Sequence, residues 1–190
     1  DKEYSLEGPN GAVSLHELFA GRSQLIVYHF MFGPGWEAGC KSCSFWADHF
    51  DGVIPHLAAR DVSFAAISRG PRSDFTPFAT RMGWKFDWYS SEGSDFNYDF
   101  GVSFTPEQIE SAEPCYNFAT QPPHGEEAHG ISVFTRDEQG NVFHTYSTYA
   151  RGAEVVNATY QFLDLVPKGR DEDALPFTMA WVKLHDEYEA

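Results

Sequence analysis

Leu25-Ile26-Val27-Tyr28-His29-Phe30, Phe32-Gly33-Pro34-Gly35 and Gly39-Cys40-Lys41-Ser42-Cys43 follow one another closely. The first stretch is nearly all apolar, as a central strand covered on both faces would be. The second is Gly/Pro punctuation that turns the chain. After the third, Phe45, Trp46, Phe50, Val53, Ile54 and Leu57, with His49, recur at the spacing of one helix face. Pro55 lies inside that stripe and should kink or interrupt the helix. The order is strand, turn, dithiol, helix, which places two thiols at the first turn of a helix.

Further elements follow on either side. Tyr4 to Leu15 contains Gly8-Pro9-Asn10-Gly11, whose Asn-Gly step predicts a hairpin. Val62 to Ile67 reads as a second buried strand, Asp74 to Arg81 as a short helix and Lys85 to Tyr89 as another strand. Residues 90–128 are irregular, with Gly, Pro, Asn and Asp throughout, and predict a long surface excursion. Ile131–Phe134 and Val142–Tyr146, around Asp137-Glu138-Gln139-Gly140-Asn141, form a second predicted hairpin, and Ala153 to Leu165 a last helix.

Strands alternating with helices and ending in an antiparallel hairpin imply an α/β fold with a central mixed sheet flanked by helices. This order is similar to the thioredoxin-like architecture with an N-terminal hairpin extension, as in peroxiredoxins and Sco-type proteins. No internal repeat or linker divides the chain, so we expect one domain over residues 1–190 with an insertion around 90–128.

A chain of 190 residues that is 42% hydrophobic and 16% aromatic can bury a sizeable core. No apolar run approaches the roughly 20 residues needed to cross a bilayer. A formal net charge of -15 argues against nucleic acid and anionic membranes as partners. Three cysteines are too few for a disulfide scaffold. No signal-peptide pattern opens the sequence, so a cytoplasmic location is expected, and a start at Asp1 rather than Met leads us to expect a segment upstream.

Unpaired N–H groups and the positive dipole end at a helix start stabilise a thiolate. Cys40, at the mouth of the turn, is the expected nucleophile and Cys43 the buried resolving thiol. The first would attack a substrate disulfide and the second would release the product. Trp36 and Glu37 are expected at the rim of the site. Arg69, after the second buried strand, should emerge at the same sheet edge, where it could hold a substrate carboxylate.

Two departures from related chemistry stand out. Thioredoxins carry a cis-proline before the strand facing the dithiol, whereas the matching position here lies near Gly130-Ile131. Peroxiredoxins need a threonine three residues before the reactive cysteine, and Glu37 stands there, so their peroxidase mechanism is not expected. His129 directly precedes the facing strand, in the placement of the copper-binding histidine of Sco chaperones. Cys40, Cys43 and His129 are therefore a candidate copper set, since thiolate and imidazole suit such a metal. His49, His144 and His124 read as structural or solvated, and Cys115 as an isolated thiol.

Tyr28-His29-Phe30-Met31-Phe32-Gly33-Pro34, Gly39 to Asp48, Phe143 to Gly152 and Pro167-Lys168-Gly169-Arg170-Asp171-Glu172-Asp173 together resemble a bacterial family. It is the thioredoxin-like "domain of unknown function 899" group of predicted dithiol-disulfide oxidoreductases. The resemblance covers nearly the whole chain and implies a thioredoxin-like fold and a redox-active dithiol. Its members usually carry a further helical N-terminal segment.

Two chemistries are open at this point. One is cofactor-free thiol–disulfide exchange at Cys40 and Cys43. The other is a copper protein that oxidises thiols with dioxygen or delivers the metal. The expected partners are a small thiol or a protein disulfide, with a homodimer among the states open to the chain.

Overall fold

Strict alternation in Gln24–His29 (β3) decides how the two faces of the sheet are filled. Leu25 and Val27 enter one apolar cluster with Leu18, Phe19, Ala65, Ile67, Phe96 and Phe134. Tyr28, followed by Phe30 and Phe32, enters the other, with Cys43, Trp46, Phe75, Phe78 and Trp88. A strand with a core on each face must lie inside the sheet, and the pairing places it there.

The computed structural model describes residues 2–189. The other strands are β1 (Ser5–Gly8), β2 (Gly11–Ser14), β4 (Val62–Ser68), β5 (Trp88–Ser90), β6 (Gly130–Arg136) and β7 (Val142–Tyr149). Among the described residues they form one seven-stranded sheet in the order β2-β1-β5-β4-β3-β6-β7. β3 pairs parallel with β4 and antiparallel with β6, where His29 lies opposite Gly130. The first hairpin turns at Pro9-Asn10, and Gly11, the first residue of β2, takes a φ of +113° that glycine adopts at little cost.

The helices are α1 (Lys41–Ala47), α2 (Ile54–Ala58), α3 (Arg72–Met82), α4 (Phe96–Asp99), α5 (Pro106–Ser111) and α6 (Ala158–Leu163). Side chains of α1, α3 and α6 pack in the cluster around Tyr28. Phe96 of α4 and the 3-10 turn Glu17–Phe19 fill the opposite face. The expected mixed sheet flanked by helices is the fold observed.

Local boundaries differ from the expectations in three places. The long stripe from Phe45 divides into α1 and α2, and the break begins at Asp48, ahead of Pro55. Pro55 instead lies at the start of α2, where its missing N–H has no helical partner to lose. β5 begins at Trp88 rather than Lys85, because the Lys85 amide donates to Asp51 Oδ2 at 2.9 Å. The last helix is a 3-10 turn, Ala150–Val156, followed by α6, which Asn157 caps by accepting from the Tyr160 amide.

The segment between β5 and β6 holds α4 and α5 rather than loop alone. Thr105 and Gln108 form a capping box at the start of α5, a signature visible in Thr105-Pro106-Glu107-Gln108. No helix among the described residues is long and apolar enough to cross a membrane.

Candidate dithiol site

Gly39 allows the dithiol loop to approach the core. A Cβ there would lie 2.6 Å from the Phe30 ring and 2.7 Å from that of Phe78, so any side chain would displace the loop. Next in the chain, the Cys40 amide donates to the Met31 carbonyl at 3.2 Å. The Ser44 amide and hydroxyl both donate back to the Cys40 carbonyl, each at 2.9 Å. Cys40 is thereby fixed as the N-cap residue of α1, half-buried, with Cys43 one turn on and fully buried.

The two thiols are free and sit against each other, but their electrostatics are opposite. A hydrogen bond from the Cys43 side chain is the main cause that brings Cys40 down to about 6. Burial opposes this, while the amides of Cys43 and Ser42 and the Ser42 hydroxyl assist it. Burial pushes Cys43 well above the ordinary thiol value, and its bond to Cys40 adds to that effect. The Met31 amide and the Tyr28 hydroxyl act the other way on Cys43. At neutral pH the pair is a thiolate at Cys40 and a thiol at Cys43.

Trp36 is half-buried and lies over Gly33, where a Cβ would meet its Nε1 at 2.9 Å. It packs on the same core as Cys40, and Glu37 beside it is exposed. Arg69 does follow β4 directly, but its guanidinium is engaged by the protein. Nε donates to the buried Glu127 carboxylate at 2.5 Å and Nη2 to Glu126 at 3.0 Å. The Ser103 hydroxyl donates to the other oxygen of Glu127 at 2.7 Å.

His129 is not assembled with the thiols as a metal-ligand set. Its Nε2 lies 3.0 Å from the Ala150 carbonyl oxygen, to which it donates, and its ring stands 5.4 Å from that of Trp46. Among the described residues no three His, Cys, Asp or Glu side chains converge to hold a metal ion. Burial also lowers the His129 pKa and keeps the ring neutral. The residues at the dithiol therefore do not fit the copper set expected from the sequence.

The remaining candidates take structural places. His49 bonds Thr159 Oγ1 at 2.8 Å, and His124 is exposed. His144, on the edge strand β7, joins a chain of hydrogen bonds through Ser147 and Ser132 to the buried His29. Cys115 packs beside Tyr116, away from the dithiol cluster.

Two tyrosines near Cys43 escaped the sequence reading. Tyr28 is fully buried, and its hydroxyl donates to the Cys43 carbonyl at 3.4 Å. Tyr116 accepts from the Ala150 amide at 2.8 Å and donates to the His129 carbonyl at 2.6 Å. For Tyr28 the available signal was a polar-tipped side chain within a nearly apolar strand, whereas Tyr116 lies outside the named strands.

The profile of a family described as "Bacterial protein of unknown function (DUF899)" matches residues 1–188. No curated protein sequence matches the chain. Among solved structures it is similar to the peroxidoxin BcpB from Mycobacterium tuberculosis, at 17% identity over 83% of this chain and 91% of that one, with a TM-score of 0.52. It is also similar to a peroxiredoxin Q from Xanthomonas campestris, at 12% identity over 82% of this chain and 86% of that one, with a TM-score of 0.53. At such identities the likeness shows the fold, which is thioredoxin-like.

Proposed function

We propose, for a chain that belongs to the bacterial protein family of unknown function DUF899, a dithiol–disulfide oxidoreductase activity centred on Cys40 and Cys43. The observation that carries it is the split between the thiols, one favoured as thiolate and half-exposed, the other kept as thiol and buried. Structures of the same fold that are named peroxidoxin or peroxiredoxin support a thiol-based reading.

The Cys40 thiolate attacks one sulfur of a substrate disulfide, whose S–S bond breaks and expels one substrate thiolate. Cys43 then loses its proton and attacks the Cys40 sulfur. The second substrate thiolate leaves, and the proton passes to it through solvent. Two electrons have moved to the substrate, and the Cys40–Cys43 disulfide awaits a dithiol reductant. This cycle uses no metal.

Trp36, half-buried against the same core as Cys40, would supply a flat apolar wall for a small disulfide or a protein disulfide. Arg69 would reach a substrate carboxylate by exchanging it for the exposed Glu126 while Glu127 keeps hold of Nε. The whole chain works as one unit in this reading, with residues 90–128 as its insertion.

Reduction of insulin disulfides by the purified protein, with a dithiol reductant supplied, tests the proposal. Wild-type turnover lost in Cys40→Ser is the expected result. Turnover that survives Cys40→Ser would overturn it. About one copper per chain after purification without chelator, lost in His129→Ala, would favour the copper chemistry instead.

A further inference from the structure

We infer that the Tyr28 hydroxyl stabilises the Cys43 thiolate during the resolving step, an assignment that rests on the dithiol reading above. A fully buried thiol cannot lose its proton at neutral pH unless something nearby stabilises the anion. Carboxylates and imidazoles are the usual helpers, and among the described residues neither kind is one of the groups that act on Cys43. His129 has Nε2 committed to the Ala150 carbonyl. Arg69, Glu126 and Glu127 are committed to one another. Tyr116 has its hydrogen on the His129 carbonyl and accepts from the Ala150 amide.

Tyr28 differs from these groups. It comes from β3, directly beneath α1, and it is as fully buried as Cys43. Its ring is held edge-on by Phe50 at 4.9 Å and Phe30 at 6.1 Å, so the hydroxyl has a defined position. The bond it makes, to the Cys43 carbonyl, is long at 3.4 Å. A hydroxyl rotates about its C–O bond without moving the ring, and the Cys43 side chain lies beside it. When Cys43 ionises, that O–H turns from a weak neutral bond to a charge-assisted one.

In the resolving step the Cys43 S–H bond breaks and its proton leaves to solvent. The new bond joins Cys43 Sγ to Cys40 Sγ, and the bond from Cys40 to the substrate sulfur breaks. Tyr28 keeps its own proton throughout, because burial holds its hydroxyl well above the ordinary phenol range. Its role is donation to the sulfur anion.

The test is the reaction of the reduced protein with Ellman's reagent, an aromatic disulfide, by stopped flow in a Cys115→Ser background. Cys40 releases the first coloured thiolate, and Cys43 releases the second as it displaces the aryl thiol from Cys40. Tyr28→Phe is expected to leave the first release and its pH midpoint unchanged. The second should slow by roughly ten- to a hundredfold, the range for losing a hydrogen bond to a charged group. Its pH profile should also move upward, which loosened packing alone would not produce.

A site-specific fluorotyrosine at Tyr28, with a more acidic hydroxyl and nearly the same shape, should move that profile downward. It keeps the test decisive if Tyr28→Phe does not fold. An unchanged second release in Tyr28→Phe, or an unmoved profile with fluorotyrosine, would overturn the inference alone. No fast first release from wild type, or one that persists in Cys40→Ser, would overturn the dithiol reading and this inference with it.

Discussion

Cys43 follows Cys40 by one turn at the start of α1, and the two chemically identical side chains titrate in opposite directions. The Cys43 side chain draws Cys40 down, while burial drives Cys43 up. Cys43 must keep its proton for Cys40 to lose one, so the pair favours a single monoanionic state. The first consequence concerns pH. Cys40 is reactive as thiolate, so its alkylation by iodoacetamide should rise with pH through about 6 and level off by neutrality. In Cys43→Ala the main cause of the lowering is gone, and the midpoint should move up toward that of an ordinary thiol. A wild-type midpoint above pH 8 would contradict the assignment.

Gly39→Ala tests how firmly the loop is seated. The added Cβ meets two aromatic rings of the core, so we expect a loss of about 1–3 kcal/mol in denaturant unfolding. Alkylation of Cys40 should also slow, because the amides around its sulfur move with the loop. Unaltered stability and reactivity together would show that the loop is not constrained there.

His29 predicts acid sensitivity. Burial is the main cause that holds its pKa down at about 3, and the nearby His144 and His129 add to it. The unfolded chain protonates this histidine near pH 6.5 while the folded chain does not. Its contribution is therefore fully present above pH 6.5 and is lost as pH falls from there toward 3, on the order of 5 kcal/mol in all. Thermal or urea unfolding across that window should show the loss in wild type and a flatter profile in His29→Phe. Parallel profiles would assign the acid sensitivity to other groups.

Arg69→Ala separates anchoring from substrate binding. Removing the guanidinium leaves the Glu127 carboxylate buried beside Ser103 without its cation. A cost of about 3 kcal/mol is expected, at the low end for a broken buried pair because Arg69 is partly exposed. Comparing a carboxylate-bearing disulfide with its amide in the same assay reads the other role. A raised KM for the carboxylate alone would show substrate contact, and equal effects on both would show anchoring.

The legible parts of the molecule were those written in local chemistry. The apolar run at Leu25–Phe30, the Asn10-Gly11 turn and the Cys40–Cys43 spacing each specify a strand, a hairpin or a dithiol with little help from elsewhere. The boundary at Asp48 and the late start of β5 were not legible, because Asp51 and Lys85 meet only after folding. The same holds for Arg69, whose partners Glu126 and Glu127 are remote in sequence.

By itself the sequence determined a thioredoxin-like chain with two thiols placed between a buried strand and a helix. Periodicity and turn chemistry act over a few residues, so they survive being read along a line. Tertiary structure decided which groups stand around those thiols. It turned His129 toward Ala150 and brought the Tyr28 hydroxyl under Cys43. Hydrogen bonds and burial depend on what packs across the fold, and they set the protonation of Cys40 and Cys43.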